Sequence, residues 1–131
     1  MKNFFPKYKF IFFLFNLILI FLYLFPGSIL GWIVYDDLNS QPKITRDFIV
    51  SSNHFYAFLI LSIIGFLTYK NLSKKFQLIM YLIVLSFILE ICHLFIPERS
   101  FEFPDLFGNL LGVVIILIIN FFLKKYENFK N

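Results

Sequence analysis

A stretch of twenty residues, partly inside an apolar run, contains polar side chains that can ionise or form strong hydrogen bonds, among them Glu90, His93, Arg99, Glu102, Asp105 and Asn109. Carboxylates and imidazoles can act as general acids and bases, and a guanidinium can hold phosphate or carboxylate through a planar fork of donors. Glu90 and His93 lie inside an apolar run. An ionisable group there costs about 2.5–3.5 kcal/mol on insertion scales, so it usually has a partner and a function.

Membrane-spanning helices must position these groups, because 60% of the 131 residues are hydrophobic. Four apolar runs each approach the roughly 20 residues needed to cross about 30 Å of hydrocarbon. We therefore expect an all-α fold, a small bundle of four transmembrane helices in a single membrane domain covering residues 1–131. The expected spans are residues 10–33, 48–69, 76–96 and 106–123.

The basic residues predict the orientation, because short cytoplasmic loops collect Lys and Arg. A cytoplasmic amino terminus leaves Lys43, Arg46 and Arg99 outside. It places the other basic residues inside: Lys2, Lys7, Lys9, Lys70, Lys74, Lys75, Lys124, Lys125 and Lys130. We expect both termini in the cytoplasm and the 34–47 and 97–105 loops outside. The basic residues form no soluble basic face, so nucleic acid is not an expected partner.

With this orientation, polar groups from three spans reach the same outer depth. They are His54 in the second span, Glu90 and His93 in the third, and Asp105 and Asn109 in the fourth, with Arg99 in the loop between the last two. We predict one cluster in which Glu90 lies within hydrogen-bond reach of His54, Arg99 or Asn109. The alternative is that Glu90 only pairs with a histidine or Arg99 and fixes the packing of the bundle without any ligand.

Two pairs of glycines four residues apart predict close packing between helices. Gly27 and Gly31 lie in the first expected span, and Gly108 and Gly112 lie in the fourth. Small residues at this spacing let helix backbones approach one another in membranes.

The order Glu90, His93, Pro97, Arg99, Glu102, Asp105, Asn109 and Gly112 resembles the signature of the VanZ-like family. In that family a membrane Glu is followed by Gln, a Pro-x-Arg turn, an acidic pair, Asn and Gly; the Gln position is His93 here. His54 looks like the histidine of the family's preceding motif, so the resemblance covers residues 48–120. It implies a multi-pass protein of the bacterial cytoplasmic (inner) membrane. The family's namesake is associated with lowered glycopeptide susceptibility, and the resemblance supplies no reaction.

Two functions are consistent with these residues. The first is a polar pocket at the outer leaflet that binds an anionic lipid headgroup, a lipid-linked envelope intermediate or another amphiphile, with Arg99 holding phosphate or carboxylate. The alternative is an enzyme that hydrolyses or transfers a lipid headgroup, with Glu90 or His93 as general base and Arg99 stabilising developing charge. Ser100 is a nucleophile candidate by its position alone. Membrane lipids are the expected partners in either case.

The spacing of Glu90 and His93, three residues apart as in carboxylate-bridged metal helices, is compatible with a metal site. His54 and Asp105 could add ligands. Bundles that hold two metals usually repeat this motif, and here it occurs once. The sequence therefore predicts neither a metal nor another cofactor.

Overall fold

The structure is a computed structural model that describes residues 4–131 and contains five α-helices and no strand within that range. The helices are α1 (Phe4–Leu24), α2 (Ile29–Tyr35), α3 (Ser52–Thr68), α4 (Leu72–Cys92) and α5 (Phe103–Lys130). The expected all-α fold is confirmed. Lys2, one of the residues used to predict the orientation, lies outside the described residues.

The first expected span is not one continuous helix. α1 ends at Leu24, α2 begins at Ile29, and their directions differ by 82°. Pro26 has no N–H to donate to the preceding turn and disfavours helical geometry in the residue before it. Gly27 then adopts a φ of 98°, which is accessible to glycine. The expectation that one helix covers residues 10–33 is therefore wrong.

Fewer helices than the expected four are long and apolar enough to cross a membrane. Within the described range, α4 and α5 are long and apolar enough to span a bilayer, and the bent pair α1–α2 makes a third if it counts as one span. α3 is apolar but has 17 residues. α4 ends at Cys92 rather than near residue 96, and α5 extends past residues 106–123 at both ends. These helices indicate a helical membrane protein, and four crossings stay a prediction.

α3 lies at the centre of the bundle and contacts α1, α4 and α5. Its fully buried side chains Phe58 and Leu61 pack with Leu82 and Leu89 of α4 and Val113 of α5. The outer surfaces of α1, α4 and α5 expose many large apolar side chains. This pattern is typical of membrane helices, which have one side facing lipid and the opposite side packed against neighbouring helices.

Gly108 and Gly112 lie where α5 contacts α3 most closely. A Cβ added at Gly112 would lie 2.7 Å from both Leu59 N and Phe55 O, and one at Gly108 would lie 2.8 Å from Ser51 O. The backbones of α3 and α5 are thus in direct contact. This contact fixes where the first turns of the two helices, which carry polar side chains, lie relative to each other.

Gly27 and Gly31 do not bring two helices together, and that expectation has to be corrected. The nearest atoms to a Cβ at Gly27 belong to Leu38, and those nearest a Cβ at Gly31 belong to Asp37 and Ser40. Both glycines let the loop after α2 fold back against the break between α1 and α2. A side chain at Gly27 or Gly31 would collide with that loop, so glycine is needed at these positions for the close contact with the loop and not for contact between helices.

We expect Gly112→Val to lower the free energy of unfolding by about 1–3 kcal/mol, because overpacking would force α3 and α5 apart. Val114→Ile is the matched control, since Val114 is exposed on the same helix. Thermal unfolding in detergent measures both variants. Equal midpoints for the two variants would contradict the close contact at Gly112.

Candidate functional site

Five of the six predicted site residues meet at one end of the bundle, where α1 and α4 end and α3 and α5 begin. Together with Tyr23 they form what we call the polar cluster: Tyr23, His54, Glu90, His93, Asp105 and Asn109. Glu90 and Asn109 are 0% exposed and His93 is 1% exposed. Asp105 is partly exposed at the edge of the cluster. Because consecutive helices run in opposite directions, residues far apart in the sequence reach the same depth.

Glu90 points into the bundle. Its Oε1 accepts a hydrogen bond from the backbone N–H of Glu102 at 3.0 Å and lies 3.3 Å from His93 Nδ1. Its Oε2 is buried and has no hydrogen-bond partner among the described residues. His54, one of the partners expected from the sequence, has its Nδ1 atom 3.9 Å from Glu90 Oε2. That distance is too long for a hydrogen bond.

His93 lies between two acceptors just beyond the end of α4. Its Nε2 is 3.0 Å from the carbonyl oxygen of Tyr23, which can only accept, so we assign a proton to Nε2. The Nδ1 atom then either donates to an ionised Glu90 or accepts a proton from a neutral one. In both cases the pair shares one proton and carries no net charge, which reduces the cost of burying it.

Asn109 of α5 contacts side chains from both α1 and α3. Its Oδ1 accepts from the Tyr23 hydroxyl at 2.7 Å and lies 3.2 Å from His54 Nδ1. We therefore assign the ring proton of neutral His54 to Nδ1, which leaves Nε2 with a lone pair. That Nε2 lies 3.4 Å from Asp105 Oδ2. Sequence reasoning missed Tyr23, because nothing distinguished its hydroxyl from those of other tyrosines in the chain.

Arg99 lies at the edge of the cluster and bonds to the end of α1. Its Nε donates to Phe25 O at 3.1 Å, and its Nη2 donates to Leu22 O at 3.0 Å and Gly27 O at 2.8 Å. These are carbonyls that the break at Pro26 leaves without helical partners. Burial lowers the pKa of the Arg99 guanidinium from its usual value, although a guanidinium stays charged in proteins. The donors that the sequence assigned to a ligand are thus largely used within the protein.

A cavity of about 250 Å³, which we call the outer polar pocket, opens above the polar cluster. Its floor contains His54, His93 and Asp105, and its walls carry the charged residues Lys43, Asp47, Glu98, Arg99 and Glu102. Lys43 forms a salt bridge with Asp47 and, with the Ser52 N–H, lowers the pKa of that carboxyl. Four acidic and two basic residues line the pocket, so its charge is predominantly negative.

A second cavity of about 250 Å³, the side groove, adjoins the outer polar pocket. The two cavities share four lining residues: Gln41, Asn53, His54 and Arg99. The rest of the side groove is mostly apolar, with Leu22, Leu30, Ile44 and Ile60 in its wall. A polar cavity therefore borders an apolar one, which is the arrangement that an amphiphilic molecule requires.

No family model, no curated protein and no solved structure matches the chain. The resemblance to the VanZ-like family stays a prediction from the residues.

Proposed function

We propose that this chain is a VanZ-like multi-pass protein of the bacterial cytoplasmic membrane that binds the headgroup of a lipid or lipid-linked amphiphile in the outer polar pocket. The observation that carries the proposal is the border between the outer polar pocket and the side groove, at His54 and Arg99. A ligand with a polar head and an apolar tail would place one part in each cavity.

The proposed topology has four crossings, made by α1, α3, α4 and α5, with both termini in the cytoplasm. It is supported by the alternating helix directions, which gather the polar cluster at one end. The 82° bend would lay α2 along the outer interface. Trp32 and Tyr35 of α2 are 56% and 58% exposed, and such side chains favour the headgroup level. At about 1.5 Å per residue α3 would span roughly 25 Å, which local thinning of the bilayer accommodates.

The topology predicts a labelling pattern for single cysteines placed in a Cys92→Ser background. Ser40→Cys and Ser100→Cys should react with a membrane-impermeant thiol reagent in intact cells, or in spheroplasts if an outer membrane intervenes. Ser73→Cys, in the first turn of α4, should react only after the membrane is permeabilised. The reverse pattern would place the outer polar pocket on the cytoplasmic face.

The charges of the outer polar pocket favour a headgroup that offers amine or hydroxyl donors over an anionic one. Acidic residues exceed basic residues in its lining, Lys43 is paired with Asp47, and Arg99 bonds to carbonyls of α1. Carboxylates accept hydrogen bonds and attract cations, and they repel phosphate. These contacts support a donor-bearing headgroup over the sequence-based idea that Arg99, with Asn109 and His54 completing the donor set, holds phosphate or carboxylate.

Blocking the side groove tests the proposal. Ile60→Trp should fill the groove and abolish lipid retention in native mass spectrometry of the purified protein. Ile63→Trp is the matched control, because Ile63 lies one turn further along α3 outside the groove lining and is 40% exposed, against 41% for Ile60. The control should retain lipid as the wild type does. Equal retention by both tryptophan variants would overturn the proposal.

The alternative function is a membrane enzyme that hydrolyses or transfers a lipid headgroup. One observation favours it: Glu90 Oε2 has no hydrogen-bond partner within the described chain, and it lies beside His54 below the pocket. The hydroxyl of Ser100, however, donates to the exposed Glu102 carboxylate at 3.2 Å rather than to a histidine, so it lacks the usual activating base. Turnover of a radiolabelled lipid by the purified protein would favour the enzyme.

A further inference from the structure

We propose that His54, Glu90 and Asp105 form a binding site for a divalent metal ion of the Zn²⁺ class at the floor of the outer polar pocket, where His54 and Asp105 line the pocket and Glu90 is buried beside His54. Each residue offers one ligand atom, and the three atoms all lie within 4.8 Å of one another. His54 Nε2 and Asp105 Oδ2 are 3.4 Å apart. Two ligand atoms on one tetrahedral zinc ion, with bonds of about 2.0–2.2 Å, are separated by about the same distance.

The proton on His54 gives the first reason to place a cation here. The contact between Nδ1 and the Asn109 carbonyl oxygen assigns the ring proton to Nδ1, so the Nε2 lone pair faces the Asp105 carboxylate. A lone pair and a carboxylate oxygen repel each other unless a cation lies between them. Metal-binding histidines commonly donate their other N–H to such an oxygen. The Tyr23 hydroxyl donates to the same Asn109 oxygen and helps to hold it in that role.

The second reason is independent and concerns Glu90. The Glu102 N–H and His93 engage its Oε1, and this leaves Oε2 buried with no hydrogen-bond partner among residues 4–131. A buried acceptor without a partner normally costs about 1–3 kcal/mol, and more when it is charged. A metal ion bound also to His54 and Asp105 would supply the missing partner for this oxygen.

The ligand set and the pocket indicate the kind of ion. One imidazole with two carboxylates suits zinc, cobalt or manganese better than calcium or magnesium, which prefer oxygen ligands alone. The outer polar pocket leaves a coordination position for water or another small ligand, as in sites with three protein ligands. A divalent charge would also offset the acidic excess of the lining. The inference concerns the chain's own residues and does not depend on a bound lipid.

Zinc binding to chelator-treated protein in detergent tests the site. We expect isothermal titration calorimetry to show one Zn²⁺ per chain, and we expect Co²⁺ to produce visible absorption typical of low coordination number. Asp105→Asn should weaken Zn²⁺ binding by more than about 100-fold, because loss of an outer partner alone typically costs 10–100-fold. Glu102→Gln removes the same charge from the wall of the same pocket and should bind Zn²⁺ within a few-fold of the wild type.

Two results would overturn the site. The first is wild-type protein that takes up no Zn²⁺ beyond a detergent blank, which would leave a proton as the cation between His54 and Asp105. The second is an equal affinity in Asp105→Asn and Glu102→Gln, which would indicate diffuse binding to the acidic lining. Circular dichroism checks that the variants fold, and the Co²⁺ spectrum of the wild type tests the site even if Asp105→Asn does not fold.

Discussion

Replacing Glu90 with alanine is expected to lower the free energy of unfolding by about 3–5 kcal/mol, the usual cost of removing one partner from a buried pair. The substitution leaves the Glu102 N–H without its acceptor and His93 Nδ1 facing an empty space. Glu90→Gln should cost less, because an amide oxygen can still accept from Glu102. The expected order of stability is therefore wild type, Glu90→Gln, Glu90→Ala.

Thermal unfolding in detergent checks this order, with Ser86→Ala as the matched control. Ser86 is also 0% exposed and lies one turn before Glu90, but within the described part of the chain its hydroxyl bonds only to Leu82 O of the same helix. Its loss should cost less than about 1 kcal/mol. Glu90→Ala and His93→Ala should also be non-additive by about 0.5–3 kcal/mol, since contacting residues couple. Additive effects would show that Glu90 and His93 do not act as a pair.

Replacing Arg99 with glutamine is expected to cost about 3 kcal/mol, since hydrogen bonds of a charged group contribute about 1.5–3 kcal/mol each and are not additive. Three carbonyls at the end of α1 lose their donor. Arg99→Lys should be intermediate, because a single ammonium cannot reproduce the geometry of Nε and Nη2.

The matched control is Arg46→Gln, which removes the same charge from an exposed position in the loop before α3. It should change the unfolding midpoint little. If Arg99→Lys were as stable as the wild type while lipid retention fell, Arg99 would act on a ligand, as the sequence first indicated. If stability and retention fell together, Arg99 would act through the end of α1.

The elements of the bundle were largely predictable because apolar runs of about 20 residues have few alternatives in water or lipid. The sequence did not predict the break in the first run, because residues 10–33 are predominantly apolar with no charged residue, and hydropathy does not register a bend. The signal was present in Pro26 and Gly27, which together end helices in most contexts. Helix ends were the other error: α4 stops at Cys92, so His93 lies past the helix instead of within it.

The members of the polar cluster were predictable because helices of alternating direction bring their polar ends to one depth. The hydrogen-bond partners of these residues could not be predicted. Glu90 accepts from a backbone N–H in the 97–105 loop, and Arg99 donates to backbone carbonyls. Backbone partners have no sequence signature. The three ligand residues of the proposed metal site were among the four that the sequence offered as possible ligands. Because they come from three helices, the Glu90-x-x-His93 spacing alone could not separate them from His93.

The most direct test of the central claim is native mass spectrometry of the wild-type protein, released from detergent with its bound lipids intact. The proposed function predicts one amphiphile per chain, enriched in amine-bearing headgroups without net negative charge, such as phosphatidylethanolamine, relative to anionic phosphatidylglycerol in the same membrane extract. A spectrum that contains only lipid-free protein, or lipids in the proportions of the bulk extract, would contradict the claim that the outer polar pocket and the side groove bind an amphiphile.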